Sequence, residues 1–428
     1  MLRAAIIALF VLLTATTAIA DTIAITNARI HTMARAGDIA NGTIIVRNGR
    51  IDSVGTRIRV PANATVIDAK GGEVTPGFFV VGTDLGALEV DLVKQTQDNA
   101  TANSSLSAAF DISYGIDPDS VAIPIARLGG VTRALVTPVY ADADGRELLF
   151  AGQAAVITLA EGRSAVKRTR AAMVLELGEG GAARAGGARG SAITALRADL
   201  DDVRWYAARR GSFNSGATRE LRFSKADLDA LVPVVRGRMP LIVGVHRAAD
   251  IREVLKLARD YRLKIVLAGA EEGWMVADEI ARARVPVMLN PTANLPASFE
   301  ARGATMENAA RLHAAGVTIT FANGDGGHRA RESRYNAGNA VAHGLPHGAA
   351  LAALTINPAR IFGERQIGSI ERGKQADIVV WDGDPLEPRS QATTILIGGV
   401  AQPMTSRGED LARRYRTLGS PYPPAYRD

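Results

Sequence analysis

The 428-residue chain contains no cysteine. That excludes disulfides and thiolate metal sites outright, so any metal must be held by His, Asp, Glu or Lys through nitrogen and oxygen. Aromatic side chains are scarce, at 5%. Apolar residues nevertheless make up 47% of the chain, which is ample for a core of closely packed, alanine-rich helices. A basic block with interleaved aromatics is also missing. The formal net charge is +6, yet the arginines are scattered among acids, as in Asp250, Arg252 and Glu253 or Arg259 and Asp260. This pattern predicts a solvated arginine-rich surface and no nucleic-acid partner. Past residue 20 no apolar run reaches the length of a membrane span.

Residues 1–20 read as a leader. Arg3 forms a short positive region, and Ala4 to Leu13 is an apolar run too short to cross a bilayer. Ala18-Ile19-Ala20 supplies a small-x-small cleavage signal before Asp21. The expectation is a signal peptide and a periplasmic or secreted protein with no stable membrane insertion after cleavage. The length suits one large α/β domain plus a smaller one, and leaves a homo-oligomer open.

The chain turns on Glu73–Gly86. Pro76-Gly77 is a turn signal and Phe78–Val81 an apolar, β-favouring run. Before it, 21–75 reads as short strands with a hairpin at Asn48-Gly49. After it, strands and helices alternate to Gly363. Val131–Val136, Ala154–Leu159, Ala171–Leu177, Leu241–Val245, Lys264–Leu267, Pro286–Leu289 and Val317–Phe321 read as strands. An amphipathic helix over Asp250–Tyr261 is expected to be capped by Asp250. Short β and α elements at this repeat predict a parallel sheet with helices outside, and their number favours a closed (β/α)8 TIM-type barrel over 76–363. Segment 364–405 carries further strands. With 21–75 they are expected to form a composite β-sandwich, into which the barrel is inserted. Gly178–Gly190 reads as a flexible loop, either a lid or a tolerated insertion, and 406–428 as a tail, extended from Arg413.

Two stretches carry a resemblance. One is Val74-Thr75-Pro76-Gly77-Phe78. The other is Ala353-Leu354-Thr355-Ile356-Asn357-Pro358-Ala359-Arg360-Ile361-Phe362-Gly363, continued by Ile367–Val380. They resemble the entry to and exit from the barrel of the amidohydrolase superfamily, on its branch of imidazolonepropionase-like, metal-dependent hydrolases. The resemblance implies a mono- or dinuclear metal centre at the strand ends. A His-x-His pair closes strand one, a lysine or glutamate follows strand four, single histidines follow strands five and six, and an aspartate follows strand eight. Two cations would lower the pKa of a bridging water and polarise the scissile carbonyl, while the strand-eight carboxylate takes the proton.

Matched position by position, the His-x-His slot reads Gly82-Thr83-Asp84. His246 fills the strand-five slot, and the strand-six slot reads Ala268-Gly269-Ala270-Glu271 with no histidine. Asp325 meets the strand-eight slot, and Glu176 or Glu179 lies near strand four. The candidate metal set is therefore His246, Asp325 and Asp84, with Glu176 or Glu179 as a substitute carboxylate. Asp325 is also the candidate catalytic residue, and His328 and Glu271 are candidate substrate contacts. A catalytic zinc takes about three protein ligands, so a single zinc ion is the most this set supports, and a metal-free site is the other outcome. Each candidate also has a plain structural role. His246 would be a hydrogen-bonded strand-end histidine, Asp325 an Asx turn, Asp84 a cap and Glu271 an acid before a helix. Two functions follow. One is a secreted hydrolase of non-peptide C–N bonds, such as cyclic amides, acting on a small-molecule substrate with a reduced metal site. The other is a catalytically silent relative that binds a small molecule or serves as a scaffold.

Overall fold

The computed structural model describes residues 22–103, 105–141, 149–162, 164–217, 219–322 and 326–416. The expected leader, Asp325 and the last twelve residues, 417–428, lie outside the described residues.

The strands follow in chain order. They are β1 (Thr22–His31), β2 (Asp38–Arg47), β3 (Arg50–Gly55), β4 (Thr65–Asp68), β5 (Glu73–Pro76), β6 (Phe78–Thr83), β7 (Val131–Val136) and β8 (Phe150–Thr158). After these come β9 (Val166–Glu176), β10 (Leu241–Val245), β11 (Ile265–Gly269), β12 (Val287–Leu289), β13 (Ile319–Phe321), β14 (Ile378–Trp381), β15 (Ala392–Ile397) and β16 (Val400–Ala401).

Both chain ends build one sheet, in the order β16-β15-β14-β5-β1-β2-β3, with β4 also on β1. Asn48 and Gly49, at φ 50° and 76°, make the tight turn between β2 and β3 that an Asn-Gly pair favours. Strand pairing thus draws a single sheet in place of two separately bonded layers. The cause is the length of β1. Its first half pairs with β4 and its second half with β5, on the edge opposite β2. The sheet has its own core of Ile25, Ile30, Ile44, Val46, Ile378 and Leu396.

The second sheet runs β6 to β13 in sequence order. A parallel bridge between Val81 and Ala322 brings its last strand back to its first. Alternate residues face two apolar environments. Phe79, Val81, Leu135, Ile242 and Val266 share an inner cluster, whereas Phe78, Val80, Ala134 and Val243 pack outward under the helices. Strands buried on both faces read as continuous apolar runs, which is why they are visible in the sequence.

One feature departs from a regular (β/α)8 barrel. The third barrel strand, β8, pairs antiparallel with both β7 and β9. Only a short turn separates Thr158 from Val166. Parallel neighbours need a crossover of about a dozen residues or more, so this turn dictates a hairpin.

Three local expectations are corrected. Gly178–Gly190 is not an irregular loop, because Gly178–Arg184 is helical and a second helix, Arg189–Ala208, starts inside the stretch. Three of its glycines, Gly178, Gly180 and Gly181, answer to close packing. A Cβ on Gly180 would stand 2.8 Å from Cγ of Glu176, and one on Gly181 would stand 2.6 Å from the Glu176 carbonyl oxygen. The helix after β10 is Ala248–Tyr261, and its N-cap is Arg247 with no side-chain cap. Asp250 lies in the first turn and binds Arg189 and Arg247. Arg407–Tyr415 is a helix, so the tail is not extended from Arg413. Acids in its first turn and arginines in its last complement the helix dipole.

Buried contacts join the two sheets. Arg133 on β7 meets Asp377 at 2.8 Å, with side-chain exposures of 5% and 2%. Trp381 stacks on Phe78 and donates to Oγ1 of Thr75 at 3.0 Å. Burial pushes the Asp377 carboxyl up, and Arg133 opposes that shift. Removing one partner of a buried pair leaves an uncompensated charge. Arg133→Met is therefore expected to cost about 3–5 kcal/mol in denaturant unfolding, and to cost less when combined with Asp377→Leu.

A second link is more exposed. His347 donates from Nε2 to Asp384 at 3.0 Å. This hydrogen bond raises the His347 pKa, against burial, and lowers that of Asp384. The pair's stabilisation is full between the ordinary carboxylate and imidazole values, roughly pH 4 to 6.5. It fades as pH rises through the raised His347 value or falls through the lowered Asp384 value. Asp384→Asn is expected to lose about 0.5–1 kcal/mol near pH 5.5 and measurably less at pH 9, read by thermal unfolding at both pH values.

Candidate active site

The C-terminal ends of three adjacent strands meet at one imidazole. β10 delivers His246, β9 ends at Glu176, and Glu271 follows β11. His246 donates from Nδ1 to Oε2 of Glu271 at 2.5 Å. Its Nε2 faces Oε1 of Glu176 and Oε1 of Glu300, each at 3.8 Å. Glu300 comes from the loop after β12 and is buried. Its Oε2 accepts from the Glu179 backbone N–H at 2.7 Å and lies 3.4 Å from an Arg189 terminal nitrogen. Arg189 also binds Glu179 at 3.3 Å and Asp250 at 2.9 Å.

Glycines make this crowding feasible. A Cβ on Gly244 would overlap the Glu176 carboxylate. One on Gly269, at φ +83°, would stand 2.5 Å from the His246 ring. Behind Glu176, half-buried Tyr140 donates to the Leu149 carbonyl at 2.5 Å, with Arg184 over its ring. Burial pushes the Tyr140 hydroxyl well above its ordinary pKa, and Glu176 adds to the shift.

Charge sets the protonation state of His246. Burial works against a positive ring, but the carboxylates of Glu176 and Glu271 outweigh it and raise the pKa to about 10. The centre is thus an imidazolium with one N–H committed to Glu271 and the other turned toward two carboxylates.

The remaining candidates lie elsewhere on the rim. Asp84 follows β6, which three strands separate from β10 in the sheet. Burial pushes its carboxyl up, against a backbone contact from Gly327 and a hydrogen bond from Asn99. His328 is exposed on the short turn Gly327–Glu332, and its ring leaves no room for a Cβ on Gly326. Among the described residues, no hydrogen bond or ion pair joins either residue to His246. Asp325 lies outside the described residues, so its meeting with His246 does too. Glu179 is turned to Arg189 instead of His246, and Glu271 binds the imidazole directly, so it is not a free substrate contact. Sequence reading missed Glu300, Arg189 and Tyr140. Glu300 offered one signal, an acid in a long irregular loop after a barrel strand.

Among the described residues, no group of three or more His, Asp and Glu side chains is arranged to hold a metal ion. The donors show why. Strand one brings Gly82, with no side chain, and the Asp84 carboxylate where the family pattern has two imidazoles, and the strand-six slot has no histidine. The described donors do not fit a dinuclear centre, and no step below passes through a metal.

A model of the Amidohydrolase family matches residues 263–406. An amidohydrolase from Thermotoga maritima superposes with a TM-score of 0.78 at 25% identity, covering 89% of this chain and 99% of that one. These matches support membership of the amidohydrolase superfamily. Amidohydrolase tasK of Hapsidospora irregularis is 25% identical over 84% of this chain. The chain spans about 40% of the length of that curated relative. Molinate hydrolase shares the fold at a TM-score of 0.55 and 19% identity, over 96% of this chain and 98% of that one. The superfamily is generally metal-dependent. In this chain Glu176 and His246 stand after barrel strands four and five, where the superfamily pattern places ligands.

The raised pKa of His246 has a consequence for stability. Its ion pairs contribute fully below about pH 6.5 and are lost as pH rises through about 10. An NMR titration of the His246 ring is expected to show it charged at pH 8. In Glu271→Gln the midpoint should fall by more than one unit, because Glu271 supplies both a hydrogen bond and a charge.

Proposed function

We propose that the protein is a hydrolase of C–N bonds other than peptide bonds, acting on small amides such as cyclic amides in the periplasm or outside the cell. The observation that carries this reading is the His246 imidazolium among Glu176, Glu271 and Glu300 at the strand ends of an amidohydrolase barrel. Barrel enzymes place their chemistry at that face.

The residues divide the work. Glu176 is the more accessible of the two carboxylates facing Nε2, with 26% of its side chain exposed against 8% for Glu300. It accepts a proton from water as the oxygen attacks the carbonyl carbon. The His246 Nε2–H then gives its proton to the leaving nitrogen as the C–N bond breaks. Glu271 holds the ring in place and keeps it charged. Glu300 and Arg189 fix the wall behind the site. In the superfamily pattern the strand-eight aspartate takes the water's proton. Asp325 lies outside the described residues, and a single zinc ion on His246 would require it or an equivalent third ligand.

A second reading has its own support. Gly82-Thr83-Asp84 in the strand-one slot favours a silent relative that keeps a concave mouth for a small ligand.

Purified protein should hydrolyse members of a panel of amides, lactams and cyclic imides, assayed with and without added zinc and with bound metal measured. His246→Ala is expected to lower kcat at least about 100-fold. Activity should fall as pH rises through about 10, when the imidazolium loses its proton. No turnover across the panel under either condition defeats the proposal and leaves the binding role.

A further inference from the structure

Of the three carboxylates around His246, Glu300 is the most buried, with 8% of its side chain exposed against 16% for Glu271 and 26% for Glu176. Its two oxygens have different surroundings. Oε2 accepts from the Glu179 backbone N–H at 2.7 Å and lies 3.4 Å from an Arg189 terminal nitrogen. Gly178 leaves the room this carboxylate needs, since a Cβ there would overlap Oε2. Oε1 faces His246 Nε2 at 3.8 Å, beyond hydrogen-bond reach. Among the described residues no donor bonds to it. An ionised carboxylate only accepts hydrogen bonds, and a buried acceptor without a donor is costly. Glu271 has the His246 Nδ1–H, and Glu176 is the most open to water. Glu300 Oε1 has no such donor from the protein and is the least open of the three.

We infer that Glu300 Oε1 is a substrate-binding acceptor for an N–H on the nitrogen of the scissile bond. The site therefore selects amides, lactams and imides that carry such an N–H over their N-alkylated analogues. The inference rests on the hydrolase reading for which nitrogen this is. The 3.8 Å between Nε2 and Oε1 is too long for a direct bond, and a nitrogen seated beside both meets each in its own way. Its lone pair receives the His246 proton as the C–N bond breaks, and its own N–H points to Oε1. The C–O bond forms from water, whose proton goes to Glu176. The N–H on Glu300 is not transferred, so Glu300 neither gains nor loses a proton. An alkyl group in place of that hydrogen would press carbon against a buried carboxylate and leave it unpaired. Glu300 thus sets specificity, and its orientation is fixed from behind through Oε2.

The test uses the full chain and matched pairs, 2-pyrrolidinone with its N-methyl derivative and succinimide with N-methylsuccinimide. Turnover, with and without added zinc, and calorimetric binding are both measured. The N–H member is expected to be favoured roughly 10- to 100-fold in kcat/KM and in binding. In Glu300→Gln the amide carbonyl is expected to stay on the Glu179 N–H and Arg189, which turns the NH2 toward the site and replaces an acceptor by a donor. The N–H preference should then fall to near unity. A preference that survives intact in Glu300→Gln comes from the bulk of the methyl group and overturns the inference. Glu300→Asp, which withdraws the oxygen by one methylene, should also shrink the preference and serves as the readout if Glu300→Gln does not fold. Turnover of both members alike overturns the inference and leaves the hydrolase reading standing. A Glu300-dependent N–H preference in binding without turnover keeps the acceptor role and defeats the hydrolase reading. Neither turnover nor preferential binding overturns both.

Discussion

Parallel pairing of neighbouring barrel strands is the constraint on which the site depends. The Val81–Ala322 bridge brings the eighth strand back to the first. The strands from β9 to β13 then present their C-terminal ends at a common rim. Residues far apart in sequence, such as Glu176, His246 and Glu271, become neighbours because β9, β10 and β11 pair in parallel side by side. The reversed β8 does not disturb closure, since an antiparallel strand fills the same place in the hydrogen-bonded ring. It does remove one crossover helix from the outside of the barrel.

Electrostatics explain how three glutamates and a histidine tolerate partial burial together. A lone buried carboxylate would be driven toward its neutral form. Here the His246 imidazole stands between three carboxylates, and Arg189 adds one positive charge shared among Glu179, Asp250 and Glu300. Gly244 and Gly269 contribute by leaving out side chains where the Glu176 carboxylate and the imidazole ring must lie. A side chain at either position would displace a charged group from its counter-charge.

Much of this was legible in the sequence. Apolar runs such as Leu241–Val245 and Val131–Val136 are visible because both of their faces are buried. The entry and exit motifs identified the barrel, and His246 could be placed at a strand end by counting strands. Periodicity gives a strand's existence and says nothing of its direction, so the reversed β8 was missed. The signal for it was the short Leu159–Ala165 connection. Glycine has two meanings, flexibility and close approach; Gly178, Gly180 and Gly181 carry the second, whereas Gly186 and Gly187 turn the chain between two helices at positive φ with open space around them. Glu300 and Arg189 belong to the site through tertiary contacts alone, and no local pattern marks them. The carboxylate cluster around His246 appears only in three dimensions.

The central claim is that a charged His246, held by Glu271, meets the bond to be broken. A crystal structure of the protein with a slowly hydrolysed lactam tests it most directly. The account predicts the lactam nitrogen or carbonyl oxygen within hydrogen-bond distance of His246 Nε2, with Glu271 still on Nδ1. A lactam bound away from that ring, or a His246 released from Glu271 and turned out of the mouth, would contradict it.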